Sequence, residues 1–395
     1  MGAPVNVTLA LTALSASFYW TLNPTAVMCR RLTLIVSSAA MIFLYNPRAL
    51  LLALLITAWA FITLLIARQI RDKRWSKHAL WLVTLPLLLD QFIDIGSLIP
   101  LPTRSPQSPL VVNAATLGLS FYTLKLYSSL HTALRTSQPQ VSATFAAVLF
   151  YPSFSAGPID EASAFSDSVV SRDFDLRQFS RGLARLGTGL LKVYLIAAFV
   201  RDDVAEALVG MSLDEALNRL SSLQWFEAVA VTYIAFVRLF MDFSGFTSIA
   251  VGIGLLHNID ISENFRTPFI AHNIQNFWQR WHLSLSNFIT RHLFQPMVRS
   301  SGKPRLSMLA AFVLIGLWHE PRLGYLIWGF GHGCALAWYF GYNRKRRKAS
   351  SPDYLNLRTW LGIAITISFV AVMSMIATLG SPSLIGEYLA ALVRI

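Results

Sequence analysis

Charged residues are scarce in this sequence, and their scarcity excludes an ordinary soluble fold. They make up 13% of the 395 residues, while hydrophobic residues make up 54%. A typical soluble domain carries roughly 25% charged residues. A soluble chain of this composition would expose apolar patches far above the size that monomers tolerate. The mean hydropathy of +0.51 points the same way, so we expect an integral membrane protein.

Cysteine is almost absent, and acidic residues are few. The two cysteines, Cys29 and Cys334, lie far apart in the sequence, which predicts neither a disulfide framework nor a metal site. We therefore expect no bound metal. Separately, we expect no bound cofactor. The 20 acidic residues against 33 lysines and arginines leave a net charge of +13.

The basic residues gather in short runs between apolar segments. Such runs occur at Arg30-Arg31 and within residues 68–77 and 343–348. This placement is typical of cytoplasmic loops under the positive-inside rule, and such loops attract anionic lipid head groups. We do not expect nucleic-acid binding, because no aromatic and basic platform accompanies the runs.

Apolar stretches that could span a membrane occur along the whole chain. A spanning helix needs ~20 mainly apolar residues. The candidate stretches are residues 5–22, 32–45, 49–67, 79–99, 110–134, 141–156, 183–200, 226–256, 306–318, 324–342 and 360–379. The first has no basic leader before it, so we expect it to be retained rather than cleaved. The stretch 110–134 includes Lys125, which predicts an interior helix.

Two of these stretches, 32–45 and 306–318, are short enough to predict re-entrant or protein-buried helices. The polar interval 160–181 mixes aromatic and charged residues, which predicts a helix lying in the lipid interface. The predicted fold class is all-α: a polytopic membrane protein of about ten to twelve helices, including re-entrant ones. We expect a single domain over residues 1–395.

Three histidines lie among apolar and aromatic neighbours in the second half of the chain: His282, His319 and His332. An ionisable group at bilayer depth is expensive and is by default a candidate for function. The other histidines, at 78, 131, 257, 272 and 292, are interpreted as interfacial or loop residues.

The segments around these histidines form an ordered set of motifs. They are LGLSFYTL (117–124), FYPSFSAGPID (150–160), DFSGFTSIAVGIGL (242–255), ENFRTPF (263–269), FWQRWHLSLS (277–286), GLWH (316–319) and WGFGHG (328–333). With them the chain resembles the membrane-bound O-acyltransferase (MBOAT) family. The resemblance is to the bacterial branch that modifies cell-envelope polymers, which includes the membrane subunits for D-alanylation of lipoteichoic acid and O-acetylation of alginate. The motif core covers residues 117–333.

The resemblance implies a fold and a set of roles. The fold is a ring of helices around a thin centre, where a cytoplasmic and an extracytoplasmic funnel form a central tunnel. His319 becomes the catalytic histidine, and His282 becomes the supporting one. We predict that substrate is bound by Trp281, Ser284, Trp318, Glu320, His332 and Asp160.

The resemblance also implies the substrates and partners. The donor is a thioester in the cytoplasm, carried by a phosphopantetheinyl carrier protein or as acetyl-CoA, and it is a substrate rather than a cofactor. The acceptor is a hydroxyl of an extracytoplasmic polymer, or of a downstream transferase, which places the chain in the cytoplasmic (inner) membrane. Asp160 in GPID favours a D-alanyl group, whereas DFSGF is nearer the alginate-like proteins. We place D-alanyl first and acetyl second.

Acyl transfer from a thioester to a hydroxyl explains the choice of histidine. The hydroxyl must lose its proton as it attacks, and an imidazole titrates near neutral pH. A donor near the carbonyl oxygen would stabilise the tetrahedral oxyanion. His282, Ser284 or Trp281 could supply that donor.

Two positions depart from the family pattern. Glu320 followed by Pro321 stands where the family usually has glycine after the Trp-His pair, and residues 290–292 replace a usual Arg-Asp pair. Glu320 either orients His319 or faces a funnel.

The alternative function is a transporter or a proton-relay protein that uses the intramembrane histidines. Asp90 and Asp94, four residues apart, would suit a relay, although they suit a helix end or a polar seam better. Transporters usually show inverted repeats with paired broken helices, and the motifs here have no visible second copy. A catalytically silent homologue that scaffolds an export complex is a third alternative. Arg238 and Asp242 are expected to form a structural ion pair.

The basic runs generate a topology prediction. Residues 68–77 and 343–348 should both be cytoplasmic, because clustered basic residues in short loops set orientation. Single cysteines at Ser76 and Ser350, in a background without the native cysteines, should resist an impermeant thiol reagent in intact cells. Both should react after permeabilisation. Reaction of either cysteine from outside would reverse the predicted orientation.

Overall fold

A computed structural model describes residues 2–70, 78–87, 89, 118–134, 141–345 and 354–394, and every regular element within them is helical. The all-α prediction is confirmed for this part of the chain. The longer helices are α1 (Gly2–Thr21), α2 (Val27–Tyr45), α3 (Pro47–Gln69), α4 (Leu119–Ala133), α5 (Val141–Leu149), α6 (Leu176–Val209), α7 (Trp225–Leu256), α8 (Pro304–His319), α9 (Leu323–Lys345), α10 (Leu357–Leu379) and α11 (Pro382–Leu392).

Short helical segments connect the longer helices. The α-helical ones are Asp167–Val170, Leu213–Asn218, Ile274–Trp278, Leu283–Phe288 and Gln295–Ser301. The 3₁₀ turns are Leu80–Thr84, Tyr151–Ser153, Ala162–Phe165, Leu220–Ser222 and Pro268–Ile270. Inside α6, and again at Ile289–Phe294, the helix widens to π geometry; the α6 stretches are Leu191–Ile196 and Val200–Val204.

Among the described residues, five helices are long and apolar enough to cross a bilayer: α2, α3, α6, α7 and α10. These helices agree with the predicted multi-pass membrane protein. The prediction of a short apolar helix at 306–318 agrees with α8, which has 16 residues. The two aspartates considered for a relay, Asp90 and Asp94, lie outside the described residues, as do most positions of the two basic runs.

The chain divides into two compact units. The first combines Met1–Gly189 with Phe246–Ser262, and the second combines Leu190–Gly245 with Glu263–Ile395. The motifs of the sequence are shared between them, because FYPSFSAGPID belongs to the first unit whereas the histidine motifs belong to the second.

In the first unit, two arginines are buried inside α2, which corrects the interpretation of Arg30-Arg31 as loop residues. The Arg30 guanidinium donates to the carbonyl oxygens of Val170 (3.1 Å), Arg172 (2.7 Å) and Leu22 (2.8 Å). Because these acceptors replace water, both arginines can lie within the helix. The helix therefore starts at Val27, has 19 residues and is long and apolar enough to span a bilayer, so the prediction of a short re-entrant or protein-buried helix at 32–45 is wrong.

The interval 160–181 is also different from the predicted interfacial helix. It contains two separate turns, Ala162–Phe165 and Asp167–Val170, and a continuous helix begins only at Leu176. Arg31 bonds the Phe165 carbonyl at 3.0 Å and pairs with the Asp167 carboxylate. The arginines of α2 thus hold this segment by bonding to its main-chain carbonyl oxygens. In a regular helix these oxygens would accept hydrogen bonds from the helix's own N–H groups.

Lys125 confirms that α4 is an interior helix. Its side chain is fully buried, and its ammonium group donates to the carbonyl oxygens of Ala147 (3.3 Å) and Ser153 (2.9 Å) and to the Ser153 hydroxyl (2.7 Å). All three ammonium hydrogens thereby have acceptors, as a buried cation requires.

In the second unit, the predicted ion pair on α7 is confirmed. Arg238 reaches Asp242 at 3.7 Å and also Asp214 at 3.1 Å. The same helix meets α11, which was not predicted, through a hydrogen bond of 2.8 Å between the hydroxyls of Thr232 and Tyr388.

Glycines allow α6 and α7 to touch within the first unit. A Cβ on Gly252 would lie 2.6 Å from the backbone nitrogen of Leu186, and one on Gly182 would lie 3.0 Å from the Gly252 carbonyl oxygen. Close helix contact through small residues is a common packing mode in membranes.

This contact predicts a contrast between two glycine variants. Gly252→Ala should lower the stability of the protein in detergent by about 1–3 kcal/mol, because the new methyl group overlaps backbone atoms. Gly187→Ala is the matched control, since nothing lies within 4 Å of its Cβ position. Thermal unfolding should show a lower midpoint for Gly252→Ala only. Equal midpoints for the two variants would contradict the contact.

Candidate functional site

A hairpin of α8 and α9 positions His319. The last α8 hydrogen bond runs from the Glu320 backbone nitrogen to the Gly316 carbonyl at 3.3 Å, and Glu320 itself is extended. Pro321 cannot continue the helix because it lacks an N–H. The chain then returns as α9, so His319 is the last residue of α8.

The two helices of this hairpin touch through their backbones at two glycines. A Cβ on Gly316 would lie 2.3 Å from the Tyr325 carbonyl oxygen, and one on Gly329 would lie 2.5 Å from that of Phe312. Both positions therefore exclude any side chain. This explains the glycines of GLWH and WGFGHG as packing residues that set the distance between α8 and α9.

Aromatic rings surround the His319 imidazole. Its ring centroid lies 4.6 Å from that of Trp318, 5.3 Å from that of Tyr325 and 5.6 Å from that of Trp328. The Tyr325 ring is nearly parallel to the imidazole, whereas the Trp328 ring is perpendicular to it. His319 is nevertheless an exposed residue.

His282 is held differently, in a turn and out of contact with solvent. Its backbone is left-handed, with φ of 45° and ψ of 56°, and it precedes the helix Leu283–Phe288. Its side chain is 4% exposed, and the Phe243 ring lies edge-on at 4.7 Å.

Asn264, which was not among the predicted site residues, supports this turn. Its Oδ1 lies 3.4 Å from His282 Nδ1, and it accepts from the Ser284 backbone nitrogen (3.2 Å) and the Ser284 hydroxyl (2.7 Å). The hydroxyl hydrogen of Ser284 is thus already donated to Asn264, so Ser284 is poorly placed to serve an oxyanion. The only signal in the sequence was the position of Asn264 in ENFRTPF.

Trp281 lies in a cluster of phenylalanine rings. Its neighbours are Phe236 and Phe277, both stacked at 5.4 Å, and Phe265, edge-on at 5.0 Å. The cluster fixes the plane of the indole. Its assignment to substrate binding stays a prediction.

His332 lies inside the helix packing. It is fully buried, and its Nδ1 accepts a hydrogen bond from Trp278 Nε1 at 3.2 Å. The Trp328 ring contacts both histidines, at 4.9 Å from His332 and 5.6 Å from His319. The Phe369 ring covers His332 from α10 at 5.2 Å. These contacts place His332 in the wall that supports Trp328.

Glu320 turns towards a neighbouring arginine. Its carboxylate accepts from Arg322 Nε at 2.7 Å. The partner of the Glu320 carboxylate in the structure is therefore Arg322 and not His319. This contact does not support the alternative in which Glu320 orients His319.

Asp160 belongs to the first unit, apart from the other predicted site residues, which all belong to the second. Its side chain is buried, and Oδ1 accepts from the Ser262 hydroxyl (2.6 Å) and backbone nitrogen (3.2 Å). Its role in substrate binding stays a prediction. No cluster of three or more histidine, cysteine or acidic side chains suited to a metal occurs within the described segments.

Two histidines interpreted as interfacial or loop residues are buried instead. His257 is 2% exposed and its Nδ1 lies 2.9 Å from the Ile253 carbonyl oxygen, while His292 is 5% exposed in the π-helical turn Ile289–Phe294. His257 directly follows α7, and its burial could not be predicted from its position after an apolar stretch.

The sequence model of the membrane-bound O-acyltransferase family matches residues 8–376. This chain belongs to that family. Its members are acyltransferases, so the enzyme class predicted from the motifs is confirmed.

Curated relatives of this MBOAT chain carry several acyl-transfer names. It is 32% identical over 231 residues to the peptidoglycan O-acetyltransferase of Helicobacter pylori, covering 56% of this chain and 41% of that protein. It is 30% identical over 275 residues to a probable alginate O-acetylase of Pseudomonas aeruginosa, covering 68% and 50%. It is 25% identical over 351 residues to the teichoic acid D-alanyltransferase of Bacillus subtilis, covering 84% and 85%. The MBOAT chain thus spans about half, or less, of the O-acetylases it matches.

The geometry around Glu320 predicts that its carboxylate does not act on His319. Glu320→Gln should leave acyl transfer within about threefold of wild type, with an unchanged pH–rate profile, because the carboxylate faces Arg322. Arg322→Ala removes the other half of the pair and should have the same small effect. A loss above tenfold in Glu320→Gln alone, or a displaced pH profile, would show that the carboxylate serves His319.

Proposed function

We propose that this enzyme moves a small acyl group from a cytoplasmic thioester to a hydroxyl of an extracytoplasmic cell-envelope polymer, with His319 as general base. The observation that carries the proposal is the combination of access and fixed orientation at His319. The ring is exposed, yet three aromatic side chains hold its plane. No hydrogen bond to its nitrogens is recorded from the described residues, so both are available to substrate.

The proposed reaction begins when the acceptor hydroxyl binds against His319. Its oxygen attacks the thioester carbonyl while its proton passes to the imidazole, and a tetrahedral intermediate forms. The intermediate then expels the thiolate. The thiolate takes the proton from the imidazolium and leaves as a thiol, which restores the neutral imidazole. No covalent acyl-enzyme is needed. Such general base catalysis is worth ~10²–10⁴-fold.

The position of His319 at the end of α8 favours this proton transfer. The carbonyl groups at a helix C-terminus carry partial negative charge, and they stabilise a nearby cation by about 0.3–1 kcal/mol. The imidazolium that forms during the reaction would lie at such a terminus. Aromatic faces around it, including that of Trp318, add cation–π attraction.

Two of the candidates for the oxyanion donor, Ser284 and Trp281, differ in their hydrogen bonding. The Ser284 hydroxyl donates to Asn264, whereas no partner among the described residues is recorded for the indole N–H of Trp281. Four phenylalanine rings fix that indole, which is the property an oxyanion donor needs. We therefore assign this role to Trp281 ahead of Ser284.

Two acyl groups are supported by different findings. The D-alanyltransferase match spans 85% of that relative, and for this reason we place a D-alanyl group on a phosphopantetheinyl carrier protein first. The O-acetylases are more similar in sequence, at 30–32% identity, and they support acetyl transfer second. In both cases we propose a central tunnel through the cytoplasmic membrane, with the donor entering from inside.

The base assignment predicts that His319→Ala abolishes acyl transfer while the protein remains in the membrane at normal levels. Ester-linked D-alanine and acetate, released from cell-envelope polymer by mild base, should fall to background in cells carrying the variant. Purified enzyme supplied with D-alanyl carrier protein or with acetyl-CoA distinguishes the two donors.

The control is His78→Ala, an exposed histidine outside the motif core. It should retain wild-type activity. If His319→Ala keeps activity within tenfold of wild type, His319 is not the base.

A further inference from the structure

We infer that Asn264 is a positioning residue that holds His282 as the neutral tautomer with its proton on Nδ1, so that Nε2 presents a lone pair. The inference rests on the proposed acyl transfer for its effect on activity. The tautomer itself can be tested without any activity. The buried side-chain amide of Asn264 joins two motifs, ENFRTPF and FWQRWHLSLS.

The orientation of the Asn264 amide is fixed by its neighbours. The Ser284 backbone N–H can only donate, and it lies 3.2 Å from the atom assigned as Oδ1. The Ser284 hydroxyl lies 2.7 Å from the same atom. A flipped amide would place an NH₂ group against the backbone N–H, which is unfavourable for a fully buried side chain.

The orientation of Asn264 then decides the tautomer of His282. An amide oxygen accepts and does not donate, so its contact at 3.4 Å with a His282 nitrogen favours a hydrogen on that nitrogen. That nitrogen is Nδ1. Neutral imidazole carries one hydrogen, which leaves Nε2 as the acceptor.

The backbone of His282 shows why a separate support is needed. A φ of 45° is uncommon for a residue with a side chain and is tolerated only where neighbouring groups hold it. Two main-chain bonds tie the segments together, from Leu283 N to Asn264 O (3.0 Å) and from Arg266 N to Arg280 O (2.9 Å). These bonds do not involve the side-chain amide of Asn264. We therefore expect the turn to keep its backbone conformation when the Asn264 side chain is replaced.

The consequence is a division of roles between the two histidines. With Nε2 as an acceptor, neutral His282 cannot donate a hydrogen bond to an oxyanion. At that nitrogen it can only accept a hydrogen bond. His282 thereby supports the proton movement rather than the oxyanion.

The first test reads the tautomer directly. Nitrogen-15 spectra of histidine-labelled protein, compared with His282→Gln to assign the signals, should show a protonated Nδ1 and an unprotonated Nε2 for His282. In Asn264→Ala the same signals should indicate a mixture of tautomers. A wild-type His282 protonated on Nε2, or an Asn264→Ala spectrum equal to wild type, would overturn the inference.

The second test uses activity with a matched asparagine. Asn264→Ala should lower acyl transfer by about 100-fold, in the range expected for lost acid–base function. Asn276→Ala removes a comparable amide, which bonds Arg280 Nε at 3.0 Å, and should stay within threefold of wild type. Equal losses in the two variants would contradict a positioning role.

Asn264→Asp separates positioning from simple destabilisation. The carboxylate keeps an acceptor at Nδ1, so activity should partly return relative to Asn264→Ala. Its negative charge favours the imidazolium, so the acid limb of the pH–rate profile should move to higher pH. An unmoved profile in an active variant would contradict the inference. Wild-type protein with the expected tautomer but no acyl transfer would count against the proposed function alone.

Discussion

The close backbone contact between α8 and α9 is the constraint on which the site depends. At Gly316 the Tyr325 carbonyl oxygen occupies the place of a side chain. This contact lies one helical turn before His319, and Tyr325 itself stacks on the imidazole at 5.3 Å. The glycine and the histidine of GLWH are therefore two parts of one arrangement. The glycine sets the separation of the helices, and that separation places the ring that orients the histidine.

Buried cations in the first unit show how a membrane protein keeps charge inside apolar helices. Arg30 and Lys125 bond mainly to carbonyl oxygens rather than to carboxylates. Carbonyl acceptors satisfy the donors without adding a second buried charge, and they lie where segments leave regular helix. The cations thereby fix irregular segments, notably the interval before α6 and the 3₁₀ turn at Ser153.

The sequence predicted the helical class, the multi-pass character and the family, because apolar length and the residues of each motif can be read directly along the chain. It did not predict where α2 begins, since a hydropathy pattern counts Arg30 as a loop residue and cannot see the carbonyl groups that surround it. Asn264 was missed for a related reason. Its partner Ser284 is 20 residues away, and the turn that brings them together depends on a left-handed residue, His282, that propensity disfavours.

The contrast between the two histidines follows from what holds each one. Aromatic rings hold the plane of His319, which is an exposed residue, as the general base that we propose requires. A polar network holds His282, which is buried and has one nitrogen committed to Asn264. Stacking fixes the plane of a ring without choosing its tautomer, whereas a hydrogen bond chooses the tautomer as well. A base that must gain and lose a proton in each cycle is compatible with the first kind of support. A partner that must present the same nitrogen in every cycle needs the second.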